Sequence, residues 1–328
     1  MPMITPSRHQ LRIGILGCSD IARRRFVPAL LASDHAVLAA VAGRDRSTCA
    51  DFVPGENYAV VDYDELVAGP AVDLIYISTP NHLHEEWAVR ALEAGKHVIC
   101  EKPLATSLGA AEKMLSAAGK GGVLLYENLM YLQHPQHAAV KRCIEQGHIG
   151  RITSFRTAFG FPAPPAGNFR LDPAMGGGAF HDLNRYPLSA ASYFLQGDLY
   201  RFRGISIDRE RLNIAMHGVA ATSADEAFSF SIAFGQQYES YYEIIGELGR
   251  IRVDRAYTTP ADLANKVRVV RGGDDASFIV PPADHFLLTI NHVAGLIRRC
   301  GDFREQHARS LRLARLADAM ERGCRHAG

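Results

Sequence analysis

The sequence predicts an α/β protein: an N-terminal Rossmann-like parallel-sheet domain, then a C-terminal α+β domain with a large, mostly antiparallel open sheet. Three observations carry this. Up to about residue 128, short apolar runs alternate with helical stretches, the pattern of strand–helix–strand units and a parallel sheet. Beyond Gly150, alternating strands follow one another without intervening helices, as in antiparallel sheets. At 328 residues the chain exceeds one typical domain, and 47% hydrophobic residues support a sizeable core. The boundary between the two domains is placed at residue 128, giving units of 1–128 and 129–328. The closing helices are free in this reading to pack back on the first domain.

Composition narrows the function classes. A net charge of +1 gives no sign of a nucleic-acid or membrane partner, and the arginines are scattered apart from Arg23-Arg24-Arg25. The opening MPMITPSRHQ has no apolar run, so no signal peptide is expected, and no stretch of 18 apolar residues suggests a transmembrane helix. Six cysteines (Cys18, Cys49, Cys100, Cys143, Cys300, Cys324) lie far apart with no C-x-x-C pair. Reduced thiols in a cytoplasmic protein, with no metal site, are the expectation.

In chain order, Leu11 to Leu16 reads as a buried strand, followed by Gly17-Cys18-Ser19-Asp20-Ile21-Ala22 and a helix through Leu31. This is a G-x-G-x-x-A dinucleotide fingerprint with Ser19 at its second glycine. Gly17 permits the tight turn, and Ala22 lets helix and strand pack closely. The next strand, Val37 to Ala42, ends in Gly43-Arg44-Asp45. An acid that would hold a ribose 2′-OH is missing from the strand tip, and a guanidinium suits a 2′-phosphate, so NADP(H) is favoured over NAD(H). Asp45 is placed to cap the following helix.

Val72 to Ser78 is another buried strand, leading into Thr79-Pro80-Asn81-His82-Leu83-His84 and a helix that stops at Gly95. Then VICEKPL (98–104) runs from an apolar strand into an acid, a base and a proline. In open α/β sheets ligands sit beyond the carboxyl ends of the strands, which puts Glu101 and Lys102 where a site forms. A helix from Leu108 to Ala118 and a strand from Val123 to Tyr126 complete the first half. The second half opens with a helix at 138–145. Strands are expected at 151–159, 226–234, 238–245, 249–253 and 266–270, and helices at 283–299 and 304–322. Between them, Gly176-Gly177-Gly178 marks a sharp turn or a close approach. Asp182 and Tyr186 follow at i and i+4, one helix face about 5–6 Å apart at Cβ. Pro187 predicts an irregular first turn over 179–186 before a regular helix.

These motifs together resemble the Gfo/Idh/MocA oxidoreductases. The resemblance rests on the glycine turn, on Thr79-Pro80-Asn81 with His84, on Glu101-Lys102-Pro103-Leu104, and on GGGAFHDLNRY with tyrosine at 186. M-Y-x-x-H-P-Q at 130–136 and N-F-R-L-D-P at 168–173 point to the tyrosine-containing branch that includes sugar 3-ketoreductases of deoxysugar biosynthesis. The resemblance implies a nicotinamide and a substrate carbonyl beside Lys102. It implies cofactor contacts from Gly17, Cys18, Ser19, Asp20, Ile21, Ala22, Arg44, Thr79, Asn81, His84 and Glu101, with Arg170 facing the cofactor. Substrate contacts are assigned to Lys102, Asp182, Tyr186 and Asn128. Asn184 departs from the glycine common at its position.

Hydride transfer to a ketone leaves negative charge on oxygen, which must be stabilised and protonated. A lysine ammonium can do the first and a lysine or tyrosine the second. Burial beside a cationic nicotinamide is expected to lower the Lys102 pKa, and a lysine charge to strengthen Tyr186 as a donor; sequence does not choose between them. The expected function is NADPH-dependent reduction of a keto-sugar, a dTDP-linked 3-keto-deoxyhexose, by a homodimer or homotetramer. An NADP-dependent free-sugar or dihydrodiol dehydrogenase is the alternative. A non-catalytic dinucleotide sensor is the alternative of another class.

Overall fold

A computed structural model describes residues 10–299 and 301–325; the N-terminal decapeptide's first nine residues and Cys300 lie outside it. The first sheet holds six parallel strands, β1 (Leu11–Leu16), β2 (Ala36–Ala42), β3 (Ala59–Val61), β4 (Leu74–Ile77), β5 (His97–Cys100) and β6 (Leu125–Glu127), in the order β3-β2-β1-β4-β5-β6. Chain direction around the sheet reverses between β1 and β4, and a ligand crevice opens at such a switch point. Its helices are α1 (Val27–Leu31), α2 (Arg46–Ala50), α3 (Tyr63–Ala68), α4 (His84–Glu93) and α5 (Leu108–Gly121). The helix after the glycine turn is π-type over Ala22–Phe26 before continuing as α1. The strands are apolar almost throughout because both faces are covered by helices: β4 is buried at all four residues.

After α6 (Pro135–Glu145) the second sheet begins with β7 (Ile152–Phe161). Two short helices follow, α7 (Ala179–Leu183) and α8 (Arg185–Phe194). The remaining strands are β8 (Leu199–Arg209), β9 (Leu212–Thr222), β10 (Ala227–Phe234), β11 (Glu239–Gly246), β12 (Gly249–Asp254), β13 (Asn265–Arg271) and β14 (Asp274–Val280). The order is β14-β13-β12-β11-β7-β10-β9-β8, antiparallel except where β10 runs parallel to β7. The β8–β9 hairpin and β14 were not foreseen in the sequence; β8 has only Leu199 and Phe202 buried, too few to show an alternation. Helices α7 and α8 cover the inner face through β7, β9 and β10. The chain closes with α9 (His285–Arg299), packed on α1 and β2, and α10 (Arg304–Arg325), packed on both α5 and β8. Pro187 falls in the first turn of α8, where a missing N–H breaks no helical bond.

Among the described residues no helix is long and apolar enough to cross a membrane.

Candidate active site

Two cavities meet at the junction of the sheets. One, of about 610 Å³, runs from the glycine turn along the carboxyl ends of β1, β2 and β4. The other, of about 470 Å³, lies under Phe159, Phe161 and the Pro162–Pro165 loop. Lys102, Asn168, Arg170, Asp182, Tyr186 and Thr258 line both. The sequence-predicted lysine, aspartate and tyrosine therefore stand on the shared wall, although Lys102 follows a strand of the first sheet and Asp182 and Tyr186 lie on the helices packed on the second.

Lys102 follows β5 and reaches across to α7. Its ammonium donates to the Asp182 carboxylate (2.7 Å) and to the Asp182 carbonyl (2.8 Å). The second Asp182 carboxylate oxygen accepts from Arg170 Nε at 3.0 Å. The Lys102 Nζ also stands 5.2 Å from the centre of the Tyr186 ring, close enough for a cation–π attraction. Burial alone pushes the Lys102 pKa down, but Asp182 and Tyr186 outweigh it and the ammonium is held above its ordinary value. The expected drop towards neutrality is thus reversed, because the neighbouring carboxylate supplies the countercharge. Asp182 shows the mirror image: burial raises its pKa, Lys102 and Arg170 lower it, and the net is a depressed carboxyl. Burial lifts the Tyr186 phenol more than Lys102 lowers it. Tyr186 is fixed by rings on three sides, Phe159 (4.6 Å between centres), Tyr257 (5.3 Å) and Tyr131 (5.6 Å).

Glu101, 8% exposed, sits behind the lysine. It accepts from the Tyr76 hydroxyl (2.7 Å) and from Asn128 Nδ2 (2.6 Å), and its other oxygen from the Lys102 N–H (3.3 Å). Asn128, assigned above to the substrate, is fully buried and stands back from both cavity walls, where its amide supports Glu101. His84, assigned above to the cofactor, also stands back from the cleft. It is fully buried, absent from the cleft wall, and its ring nitrogens face the carbonyls of Pro103 (2.9 Å) and Thr79 (3.0 Å). A histidine opening a helix just after a strand tip can turn outwards or back into the fold, and here it turns inwards, where its one ring N–H can donate to one of the two carbonyls.

Gly17 adopts φ +101°, and a side chain there would meet the Thr79 N–H at 3.1 Å, so the turn admits only glycine. The Ser78 hydroxyl donates to the Gly17 carbonyl at 2.8 Å and pins the turn. Ser19 accepts from the Ala22 N–H at 3.1 Å; its hydroxyl caps the helix, which is how serine replaces the second glycine. Cys18, Asp20 and Ile21 line the cleft, whereas Ala22 is fully buried and acts through packing. Thr79 Oγ1 is buried with no partner, an unmatched polar atom at the wall. Asn81 lines the cleft but its amide donates to the Gly176 carbonyl at 2.8 Å, tying the glycine triplet to the first sheet. Arg44 is exposed at the cleft end, and Asp45 is engaged in capping α2 through the Ser47 N–H (2.8 Å). A side chain at Gly43 would meet Cys49 Sγ at 2.6 Å, so packing also requires that glycine. These features fit a dinucleotide with a 2′-phosphate near Arg44. Arg23 and Arg24 pair with Asp20 on the exposed helix face.

Sequence reading missed the lining residues Tyr63, Met130, Phe169 and Thr258 on the cofactor side, and Phe161, Pro162 to Pro165 and Tyr238 on the other. The Pro-rich run after β7 was the one available signal. Asn184, the departure from glycine, does not enter either cavity; its side chain accepts from Arg185 Nη1 at 2.8 Å.

A parallel sheet with a glycine turn at its switch point, joined to a lysine–aspartate–tyrosine group facing a second cavity, defines a dinucleotide-dependent oxidoreductase. Residues 11–129 match the model of the oxidoreductase family with an NAD-binding Rossmann fold, and residues 137–252 that of the GFO/IDH/MocA C-terminal domain. The chain belongs to the Gfo/Idh/MocA oxidoreductase family. A dTDP-3,4-didehydro-2,6-dideoxy-alpha-D-glucose 3-reductase of Actinomadura kijaniata is 37% identical, over 96% of each chain. The solved structure of KijD10, a 3-ketoreductase from the same organism in complex with NADP and TDP-benzene, agrees with a TM-score of 0.92 at 35% identity, covering 97% of this chain and 98% of that one. More distant is a D-xylose 1-dehydrogenase (NADP(+)) of Haloferax volcanii, 28% identical over 94% of this chain and 96% of its own.

Proposed function

We propose that the protein uses NADPH to reduce the 3-keto group of a dTDP-linked 3,4-diketo-2,6-dideoxyglucose. The observation that carries this reading is the shared wall. Lys102, Asp182 and Tyr186 separate a cleft shaped for a 2′-phosphorylated dinucleotide from a cavity roofed by aromatic residues and prolines. Relatives at 33–37% identity named as this reductase support the sugar and its position.

NADPH, when bound, supplies the hydride. An ammonium has three N–H donors, and two of those on Lys102 are engaged by Asp182. The third is available for the substrate oxygen, where a held positive charge stabilises the developing alkoxide. Tyr186 donates the proton to that oxygen, and the tyrosinate left behind is stabilised by the adjacent ammonium. Asp182 keeps the lysine charged and aimed; Arg170 holds the second carboxylate oxygen. The phenol is then reprotonated from solvent through the open cavity.

The test follows NADPH oxidation with the dTDP-diketo sugar, free aldoses and a trans-dihydrodiol as substrates. Turnover confined to the nucleotide sugar is expected. Preferred turnover of free sugars would overturn the substrate, and tight NADPH binding without turnover on any carbonyl would overturn the enzyme. Lys102→Met is expected to lower kcat/KM by about 100-fold or more; activity within about threefold of wild type would sink the lysine's role.

The same reading takes the enzyme to act as a dimer or tetramer in the cytoplasm, where NADPH is available. Exposed Ile205, Ile207 and Val219 on the outer face of the second sheet support the association.

A further inference from the structure

We propose that Glu127 and Arg185 are positioning residues that set the distance between Lys102 and Tyr186. Glu127 is the last residue of β6 and Arg185 the first of α8; their side chains are 1% and 3% exposed, and Arg185 Nε donates to Glu127 Oε1 at 2.6 Å. The same carboxylate oxygen accepts from the Leu104 N–H at 2.9 Å, two residues past Lys102. The next residue, Asn128, grips Glu101, one residue before the lysine. Two consecutive side chains at the end of β6 thus hold the Leu104 backbone after Lys102 and the Glu101 side chain before it. Through Arg185, one of them also holds the residue preceding Tyr186.

Neither Glu127 nor Arg185 lines the cofactor cleft or the substrate cavity, so neither touches the reacting atoms. The pair is also not arranged for stability alone. Both bonds converge on Oε1 while Oε2 is buried without a partner. A buried ion pair is often matched or bettered in stability by apolar residues of similar volume. What apolar residues lack is direction, and here directed bonds join the lysine loop of one sheet to the tyrosine helix of the other. The direct Lys102–Asp182 bond cannot do this unaided, because the lysine's interactions must readjust as charge develops on the substrate. Asn184 completes the device by accepting from the far side of the guanidinium.

The inference rests on the roles given above to Lys102 and Tyr186. The test compares full-length wild type, Glu127→Leu/Arg185→Met, Glu127→Gln and Lys102→Met with NADPH and the dTDP-diketo sugar. The double variant also leaves the Leu104 N–H and the Asn184 oxygen unpaired, so it is expected to melt below wild type; where folded it should bind NADPH within about twofold, yet lose about tenfold or more in kcat, since small misplacements of reacting groups are costly. A larger primary isotope effect with deuterated NADPH should accompany the loss as hydride transfer becomes limiting. Glu127→Gln keeps the acceptor and should recover part of the rate. It also serves as the readout if the double variant fails to fold. A folded double variant, or failing that Glu127→Gln, with wild-type kcat and isotope effect overturns the positioning role. If Lys102→Met stays active, the reading of the site falls and takes the pair with it; if Lys102→Met is inactive while the pair variants are normal, only the pair falls.

Discussion

Lys102 remains a cation because a carboxylate in direct contact outweighs its burial, and this fixes how the site responds to pH. Asp182 has a depressed folded pKa, so its contribution to stability is present above the ordinary carboxylate value of about 3.9 and lost as pH falls through the lower folded value. Lys102 has a raised folded pKa, so its contribution is present below about 10.4 and lost as pH rises through the higher folded value. Asp182→Asn is expected to cost about 3–5 kcal/mol at pH 7 by leaving buried cations unpaired, with the gap to wild type narrowing below pH ~4 in acid denaturation. Burial of Lys102 would then be less opposed, and the basic limb of kcat/KM against pH should move to lower pH. An unmoved limb would show that Lys102 is not the group titrating there. At the cleft's other end, Arg44→Ala should weaken NADPH about 10- to 100-fold while leaving NADH within about threefold, as expected for loss of a charged hydrogen bond. Equal weakening of both cofactors in titrations would remove the 2′-phosphate assignment. Residue types announced Lys102, Asp182 and Tyr186 because each followed a strand tip or a glycine triplet. They did not reveal that His84 and Asn128 turn inwards, since that choice depends on carbonyls and a carboxylate supplied by distant parts of the chain.

At the scale of elements, the glycine triplet shows why the site needs a particular backbone rather than a flexible one. A side chain at Gly177 would stand 2.6–2.7 Å from the carbonyl oxygens of Asp172, Arg170 and Phe169. Gly177→Ala must therefore displace the segment carrying Arg170, or the start of α7 carrying Asp182. We expect about 1–3 kcal/mol of lost stability from this overpacking together with a fall in kcat. Gly109→Ala is the control: it lies in α5 with nothing near its would-be side chain, and should gain about 0.5–1 kcal/mol. Thermal melts and initial rates of both variants decide the point; an active, fully stable Gly177→Ala would show that the turn has slack. The strands and helices of the first half were legible because buried parallel strands are short, wholly apolar and punctuated by glycine. The β8–β9 hairpin was not, because an edge strand with arginines and a glycine lacks the alternation that reveals a half-buried strand.

At the scale of the whole molecule, the second sheet has one covered and one open face. Helices α7 and α8, the ring cluster around Tyr186 and the cavity under Phe159 all lie on the inner face. On the outer face Ile205, Ile207 and Val219 are 51%, 42% and 54% exposed, while neighbouring Phe202 and Met216 point inwards and are buried. Three large aliphatic side chains on adjacent strands of one open face, beside Ser229 and Ser231 of β10, mark a half-polar contact surface. If a second copy covers it, light scattering should report a multiple of the 35.9 kDa chain mass. Ile207→Asp/Val219→Asp should then shift the mass towards a single chain, since each buried carboxylate would lack a partner. Because the altered face is opposite the cavities, the dissociated chain should keep its NADPH affinity within about twofold. A wild-type mass of one chain would remove the association. An unshifted mass in the double variant would move the contact to another surface, and a loss of cofactor affinity alongside dissociation would mean that the two faces of this sheet are coupled through its strands.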